Sequence, residues 1–392
     1  MISEDILIKL GRQTYFSVDL DLIESNVHDM RTIVGGKVKI AAVLKADAYG
    51  HGAIPAAEAV LRAGADMLAV ATVSEGLELR AKFVDATILV MGHTPDEFAE
   101  IMAENRIMPT LFDVGNAEAF SAAARKAGIV LPVHIKLDTG MNRLGIKKYE
   151  NPVRIMTLIA AMPGLGIQGT YTHLALRNRV SDEKQFTLFM DTIEQCLREG
   201  IAVGLRHVCD SIGTVRYPAY RLDLVRVGAA LFGVRPMRMG PEYNAFPFPQ
   251  AGTFITKIAR IRKLAEGEMV SYDDSWKAPA GGALVATLPV GYADGYPRCF
   301  GNVAEVVIRG SRAPVIGLVC MDQMMVDVGG IENVCEGDEV VLWGGRDISL
   351  LEASSWGSTN RNDLICGIGK RVPRLYIRDR KPLPGGNPVT LP

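Results

Sequence analysis

Residues 14–235 alternate between eight short apolar runs of β type and segments of helix type, and no other feature of the chain narrows its fold as much. The runs are VKIAAVL, DMLAVAT, TILVMG, RIMPTLF, LPVHIKL, IQGTYTH, LRHVC and LDLVRV. Between them lie Ala-rich or amphipathic segments such as AIPAAEAVLRAGA and DEKQFTLFMDTIEQCLREG, several closing on glycine, a common helix stop. Buried parallel strands read as continuous apolar runs, and strand–helix alternation builds βαβ units. Eight such strands in about 220 residues predict an α/β fold with a (β/α)8 barrel, an open doubly wound sheet being the alternative.

The pattern changes after the loop PMRMGPEYNAFPFPQ. From there β-type runs dominate (TFITKIARIRKL, GALVATLPVGY, AEVVIRG, APVIGLVC, MMVDV, DEVVLWG), with proline and glycine between them. The reading places a barrel over 14–246 and a mostly β domain over 247–392, to which the N-terminal segment 1–13 is assigned. A chain of 392 residues, 48% hydrophobic, has ample material for both.

Composition excludes several classes of partner. A formal net charge of -1 leaves no electrostatic footprint for nucleic acid or a membrane surface. No apolar run reaches the ~18 residues needed to span a bilayer, and MISEDILIKLGRQ lacks the pattern of an export signal. The six cysteines form no C-x-x-C pair, which points to reduced thiols in a cytoplasm and to no metal framework.

In a barrel the chemistry collects at the C-terminal strand ends. Lys45 follows the first run, with Tyr49 just behind it; Lys136 ends the fifth, and Arg143 follows in KLDTGMNR. His173 ends the sixth run, His207 lies in the seventh ahead of Asp210 and Ser211, and Arg226 ends the eighth ahead of Gly228. Cations and imidazoles converge with few carboxylates among them, a site suited to an anion. The small residues of VGAALFG would let backbone N–H groups approach a phosphate. A phosphate beside a strand-end lysine suggests pyridoxal phosphate, whose aldehyde bonds to a lysine amine.

Six ordered motifs, VLKADAYGHG, VHIKLDTGMNRLGI, LVRVGAALFG, VSYDDSW, VGYADGYPR and VCMDQMMVDV, resemble those of the alanine racemases, pyridoxal-phosphate enzymes of fold type III. The resemblance implies that Lys45 bonds the cofactor covalently and that Tyr272 is the second catalytic base, supplied across a homodimer so that each active site is shared. It matches Arg226 to the arginine facing the pyridine nitrogen, with His173 and His207 beside it. Arg143 matches a residue that contacts cofactor and substrate carboxylate, and Lys136 a lysine often carbamylated to hold that arginine. Tyr49, Ser211, Gly228 and Ala229 match phosphate contacts. Tyr292 matches a gate residue, and Met321, with Asp322 beside it, a backbone contact to the substrate carboxylate. Racemisation removes the Cα proton from one face and returns one on the other, so two bases must flank a planar carbon. Lysine and tyrosine side chains ordinarily titrate near ~10, so neighbouring cations must lower them.

The chain departs from the family at three places. Two aspartates follow Tyr272 where small residues are usual, and Asp210 stands where asparagine is usual. Asn362, in STNRNDLIC, falls on a pocket tyrosine, as in serine racemases of the vancomycin-resistance type. The expectation is therefore alanine racemisation with serine also accepted. The alternatives are a serine racemase, a pyridoxal-phosphate homeostasis protein, or a fold-type-III decarboxylase. The last two fit VSYDDSW and VGYADG poorly.

Overall fold

The computed structural model describes residues 8–235, 246 and 248–383, so most of the loop expected to separate the two domains lies outside the described residues. A first strand, β1 (Tyr15–Asp19), runs into the helix Leu20–Val34, whose start is set by the Asp19 carboxylate accepting from Leu22 N at 3.1 Å.

All eight apolar runs become strands: β2 (Lys39–Val43), β3 (Met67–Val70), β4 (Ile88–Val90), β5 (Thr110–Leu111), β6 (Leu131–Lys136), β7 (Leu165–Tyr171), β8 (Leu205–His207) and β9 (Leu224–Val227). They form two parallel arcs, β4-β3-β2-β9 and β5-β6-β7-β8. Backbone bonds close both seams. Val90 N donates to Met108 O and Met108 N to Ile88 O, both at 2.9 Å; Asp223 N donates to Arg206 O at 3.1 Å and Arg226 N to Cys209 O at 3.0 Å. The result is the expected barrel. Its strands read as unbroken apolar runs because helices cover them outside and side chains fill them inside; β3 and β4 are buried along their whole length.

The remaining strands are β10 (Gly252–Lys257), β11 (Arg260–Leu264), β12 (Ala283–Leu288), β13 (Glu305–Ile308), β14 (Ser311–Ile316), β15 (Met324–Asp327), β16 (Glu339–Gly344), β17 (Arg374–Arg378) and β18 (Lys381–Pro382). With β1 they make one sheet in the order β11-β12-β15-β14-β13-β16-β10-β1-β17-β18. This corrects the start of the barrel expected at residue 14. β1 pairs antiparallel with β10 and parallel with β17, so residues 15–19 belong to the other sheet. An apolar strand followed by a helix looks the same whichever sheet receives it. The run TFITKIARIRKL likewise divides: β10 pairs with β16, and β11 turns away to β12. Helices Leu350–Trp356 and Arg361–Cys366 interrupt the β region and return the chain towards the barrel mouth.

Gly52, in the loop after β2, packs closely against β17 of the other sheet. Its φ is +96°, and a Cβ there would stand 1.9 Å from the hydroxyl of Tyr376 in β17. Gly52→Ala should therefore cost about 2 kcal/mol or more through strain and overlap. The measurement is the urea midpoint at constant m; an unchanged midpoint would mean that the contact is not made.

Candidate active site

Lys45 stands two residues beyond β2, and the backbone behind it is unusual. Ala46, Asp47, Ala48 and Tyr49 all have φ between 53° and 54°, a turn of left-handed helix without glycine. Each such residue costs roughly 1–2 kcal/mol, so the surroundings must impose the turn. Glu75 accepts from Ala46 N at 2.6 Å through one oxygen and from Ala71 N at 2.8 Å through the other. His51 Nδ1 lies 3.0 Å from Ala48 O and 3.1 Å from Tyr49 O, so that nitrogen carries the proton. Asp47 accepts from Ala53 N at 2.6 Å, and Arg374 donates to Gly50 O at 3.0 Å. The left-handed turn carries Lys45 and Tyr49 to one cavity.

That cavity has a volume of about 360 Å³ and opens at the C-terminal ends of the barrel strands. Lys45, Tyr49, Lys136, Arg143, His173, Ser211, Arg226, Gly228, Ala229 and Asn362 all line it, as does Asp210. All of these except Asn362 come from strand ends or the loops just after them, where the sequence placed them. Arg143 is presented by a loop closed on the end of β6: Asp138 N donates to Ile146 O and Ile146 N to Lys136 O, both at 2.9 Å. The Asp138 carboxylate also accepts from Gly140 N and Asn142 N at 3.0 Å.

At the base of the cavity the Arg226 guanidinium is almost fully committed. Nη1 lies 2.8 Å from His207 Nδ1 and donates to His207 O at 3.1 Å; Nη2 donates to Thr172 O at 2.8 Å and Val208 O at 3.0 Å, and lies 3.4 Å from His173 Nδ1. A guanidinium only donates, so His207 Nδ1 is an acceptor and its proton sits on Nε2, 2.9 Å from His134 Nδ1. His207 is thus beneath the cavity, behind Arg226. Burial, then the Arg226 charge, push His173 down to about 2 and His134 to about 3, and His207 also goes well below its ordinary value. All three imidazoles are neutral.

Lys136 is buried, its amine 4.4 Å from the centre of the Tyr171 ring. Burial first, then Arg226 and Arg143, push it down to about 7. The His207 ring stacks on Tyr171 at 4.6 Å. On the opposite wall Ser211 Oγ accepts from Gly228 N at 3.0 Å and Ala230 N at 3.3 Å. A Cβ on Gly228 would meet the Tyr49 hydroxyl at 2.5 Å, so only glycine allows this approach. Asp210 accepts from Gly213 N at 2.8 Å, and burial raises its pKa. The Asn362 Oδ1 is buried without a hydrogen-bond partner. Hydroxyl groups, a lysine amine and an arginine on one lining suit an anion with an electrophilic group.

Tyr272, Tyr292, Met321 and Asp322 do not line this cavity. Tyr272 is 64% exposed, Tyr292 42% and Met321 53%, all on the β domain. They are nevertheless brought together: Tyr292 N donates to Cys320 O and Ala293 N to Met321 O, both at 3.0 Å, and Ser271 Oγ donates to Leu318 O at 2.7 Å. The Asp322 carboxylate accepts from Arg371 at 2.7 Å.

Sequence reasoning missed Tyr171, His134 and Arg361. The first two were accessible, since His134 precedes Lys136, and Tyr171 precedes His173, by the two residues that return a strand to the same face. Arg361 lines the cavity and donates to Arg235 O, a partnership between segments distant in sequence.

The family model described as "Alanine racemase, N-terminal domain" matches residues 18–236, and that described as "Alanine racemase, C-terminal domain" matches 251–376. An alanine racemase of Desulforamulus reducens is 37% identical over 364 residues, 92% of this chain and 98% of the relative. The solved alanine racemase of Clostridium difficile 630 superposes with a TM-score of 0.89 at 30% identity, covering 95% of this chain and 97% of that one. That of Bartonella henselae, described with covalently bound pyridoxal phosphate, superposes at 0.84 with 28% identity, covering 93% and 99%.

Four of the six histidines, His51, His134, His173 and His207, are held neutral, His51 at about 4. Their folded pKa values lie below the unfolded value, so the unfolded chain binds more protons in acid. Stability is complete above about pH 6.5 and falls as the pH drops below it, by roughly a kcal/mol per imidazole per pH unit. Urea titrations at pH 7.5 and 5.5 should show a loss of several kcal/mol. Equal stabilities would mean that these imidazoles are charged in the fold.

Proposed function

Because the chain belongs to the alanine racemase family, we propose that it binds pyridoxal 5′-phosphate and interconverts L- and D-alanine, with serine as a second substrate. The observation that carries this reading is the single cavity joining the Lys45 amine, the Arg226 guanidinium and the Ser211, Gly228 and Tyr49 wall. These fit the cofactor's aldehyde, ring nitrogen and phosphate in that order. When bound, the cofactor withdraws electrons from the substrate's Cα–H bond and makes that proton removable.

The chain's own residues do the rest. Lys45 would hold the cofactor through its amine and, with that amine free, would move a proton on one face of Cα; Tyr272 of the partner subunit would move one on the other. Exposure of Tyr272, Tyr292 and Met321 together supports a homodimer in which this surface covers the partner's cavity. Arg226, spent on carbonyl and imidazole acceptors, presents a fixed positive charge that cannot readily yield a proton. Facing the cofactor's ring nitrogen, it would leave that nitrogen unprotonated, which would restrain side reactions such as transamination. His173 and His207, being neutral, accept from that arginine without adding charge. Arg143 faces the substrate carboxylate, with Met321 and Asp322 of the partner subunit at the entrance. Lys136, pushed down to about 7, has an appreciable neutral fraction. Its nitrogen can bond carbon dioxide and lose a proton, turning a cation into a carbamate that attracts Arg143. Among the described residues no helix is long and apolar enough to cross a membrane; a cytoplasmic role fits.

Serine enters through Asn362. The residue lines the cavity and its Oδ1 is buried without a partner, an amide within a short rearrangement of a substrate hydroxyl, and a site built to bond a hydroxyl discriminates more strongly than added room alone. Chiral analysis after incubation with L-alanine and L-serine separately should show both racemised. Asn362→Tyr should lower the serine-to-alanine ratio of kcat/KM about tenfold, or ~1.4 kcal/mol. No serine turnover, or an unchanged ratio, would remove serine from the reading.

Sharing of the site across two chains has its own test. Lys45→Ala and Tyr272→Phe proteins are each expected to be inactive, and subunit exchange between them to restore part of the activity, because the heterodimer holds one intact site. Exchange without recovery would place both bases in one chain.

A further inference from the structure

We infer that Asp294 is a positioning residue for substrate entry, setting Tyr292 and Met321 together by binding Arg12 and Arg371 at once. The inference rests on the reading that Tyr292 and Met321 border the substrate.

Asp294 ends the single turn Tyr292–Asp294 between β12 and β13. Its carboxylate is wholly buried and accepts three hydrogen bonds. One oxygen accepts from Arg12 Nη1 and from Arg371 Nε, each at 2.6 Å, and the other from Gly291 N at 3.0 Å. Both arginines reach onward. Arg12 Nη2 donates to Pro289 O at 3.2 Å, and Arg371 Nη2 donates to Asp322 Oδ1 at 2.7 Å. One carboxylate therefore ties the N-terminal segment, the 289–295 loop, the 320–322 loop and the approach to β17 into a unit. The two loops also meet directly, through Tyr292 N to Cys320 O and Ala293 N to Met321 O.

The Tyr292 ring and Met321 side chain are half exposed in a single chain. Where they project is set by their backbone, and that backbone is held by this cluster. Burial alone would raise the Asp294 pKa, but the bonds from Arg12, Arg371 and Gly291 outweigh it and hold the carboxyl below its usual range. The charge is therefore present at all working pH values. Removing it leaves two partly exposed arginines facing a neutral group on a buried side chain, which loosens the hold of both on the loop. The disruption should be felt at the entrance rather than at Lys45, which belongs to the barrel. That predicts weaker substrate capture with the chemical step nearly intact.

The test uses the holoenzyme. Asp294→Asn should raise the KM for alanine at least fivefold, with kcat within about twofold of the parent. The cofactor's visible absorbance and the dimer dissociation constant should not change. Arg371→Gln, which spares the Arg12–Asp294 bond but frees Asp322, should raise KM by less, and it carries the test if Asp294→Asn does not fold. A lowered melting temperature with KM unchanged would make Asp294 merely structural and overturn the inference, as would a fall in kcat at constant KM. Tyr292→Ala separates the two levels. If it leaves KM unchanged, the assignment of the entrance itself fails. If it raises KM while Asp294→Asn and Arg371→Gln do not, only the role of Asp294 fails.

Discussion

A single guanidinium at the mouth of the barrel organises this site. Arg226 is buried, and its hydrogen bonds run to backbone carbonyls of β7 and β8 loops and to imidazole nitrogens. Burial, reinforced by that charge, sets the protonation of the groups around it. Lys136 loses proton affinity, His173, His207 and His134 are kept neutral, and the tautomer of His207 follows from the fact that arginine only donates. The imidazoles serve as polar acceptors that do not cancel the charge, so the cavity retains its pull on an anion.

The second organising element is the strained turn at Ala46–Tyr49. Four successive left-handed residues would not persist in an isolated peptide. They persist here because Glu75, His51, Asp47 and Arg374 each hold a backbone group of the turn or its neighbours. Strain is sustained where the surroundings over-determine it, and such places are usually functional. The turn places a lysine amine and a tyrosine ring on the lining of one cavity within five residues of chain, the amine 6.0 Å from the ring centre.

The β domain contributes a surface in place of a cavity. Tyr272, Tyr292 and Met321 sit exposed or half exposed on it, while the loops that carry Tyr292 and Met321 are pinned by ion pairs to the buried Asp294 carboxylate. In the proposed homodimer, rigid backbone beneath exposed side chains would leave little ordering to be done on association.

The amino-acid sequence alone determined the barrel, since continuous apolar runs alternating with capped amphipathic segments satisfy few other arrangements. It also determined which residues stand at the strand ends: Lys45, Lys136, His173, His207 and Arg226 are each where periodicity put them. It did not reveal that β1 leaves the barrel for the other sheet, because hydrogen-bonding partners of a strand are not encoded in its own pattern. Nor did it reveal the left-handed turn, the tautomer of His207, or the clasp of Arg12 and Arg371 on Asp294, whose members are separated by 282 and 77 residues. Local pattern is read from neighbours in the chain, whereas charge, protonation and strain depend on neighbours in space, and only the folded structure decides who those are.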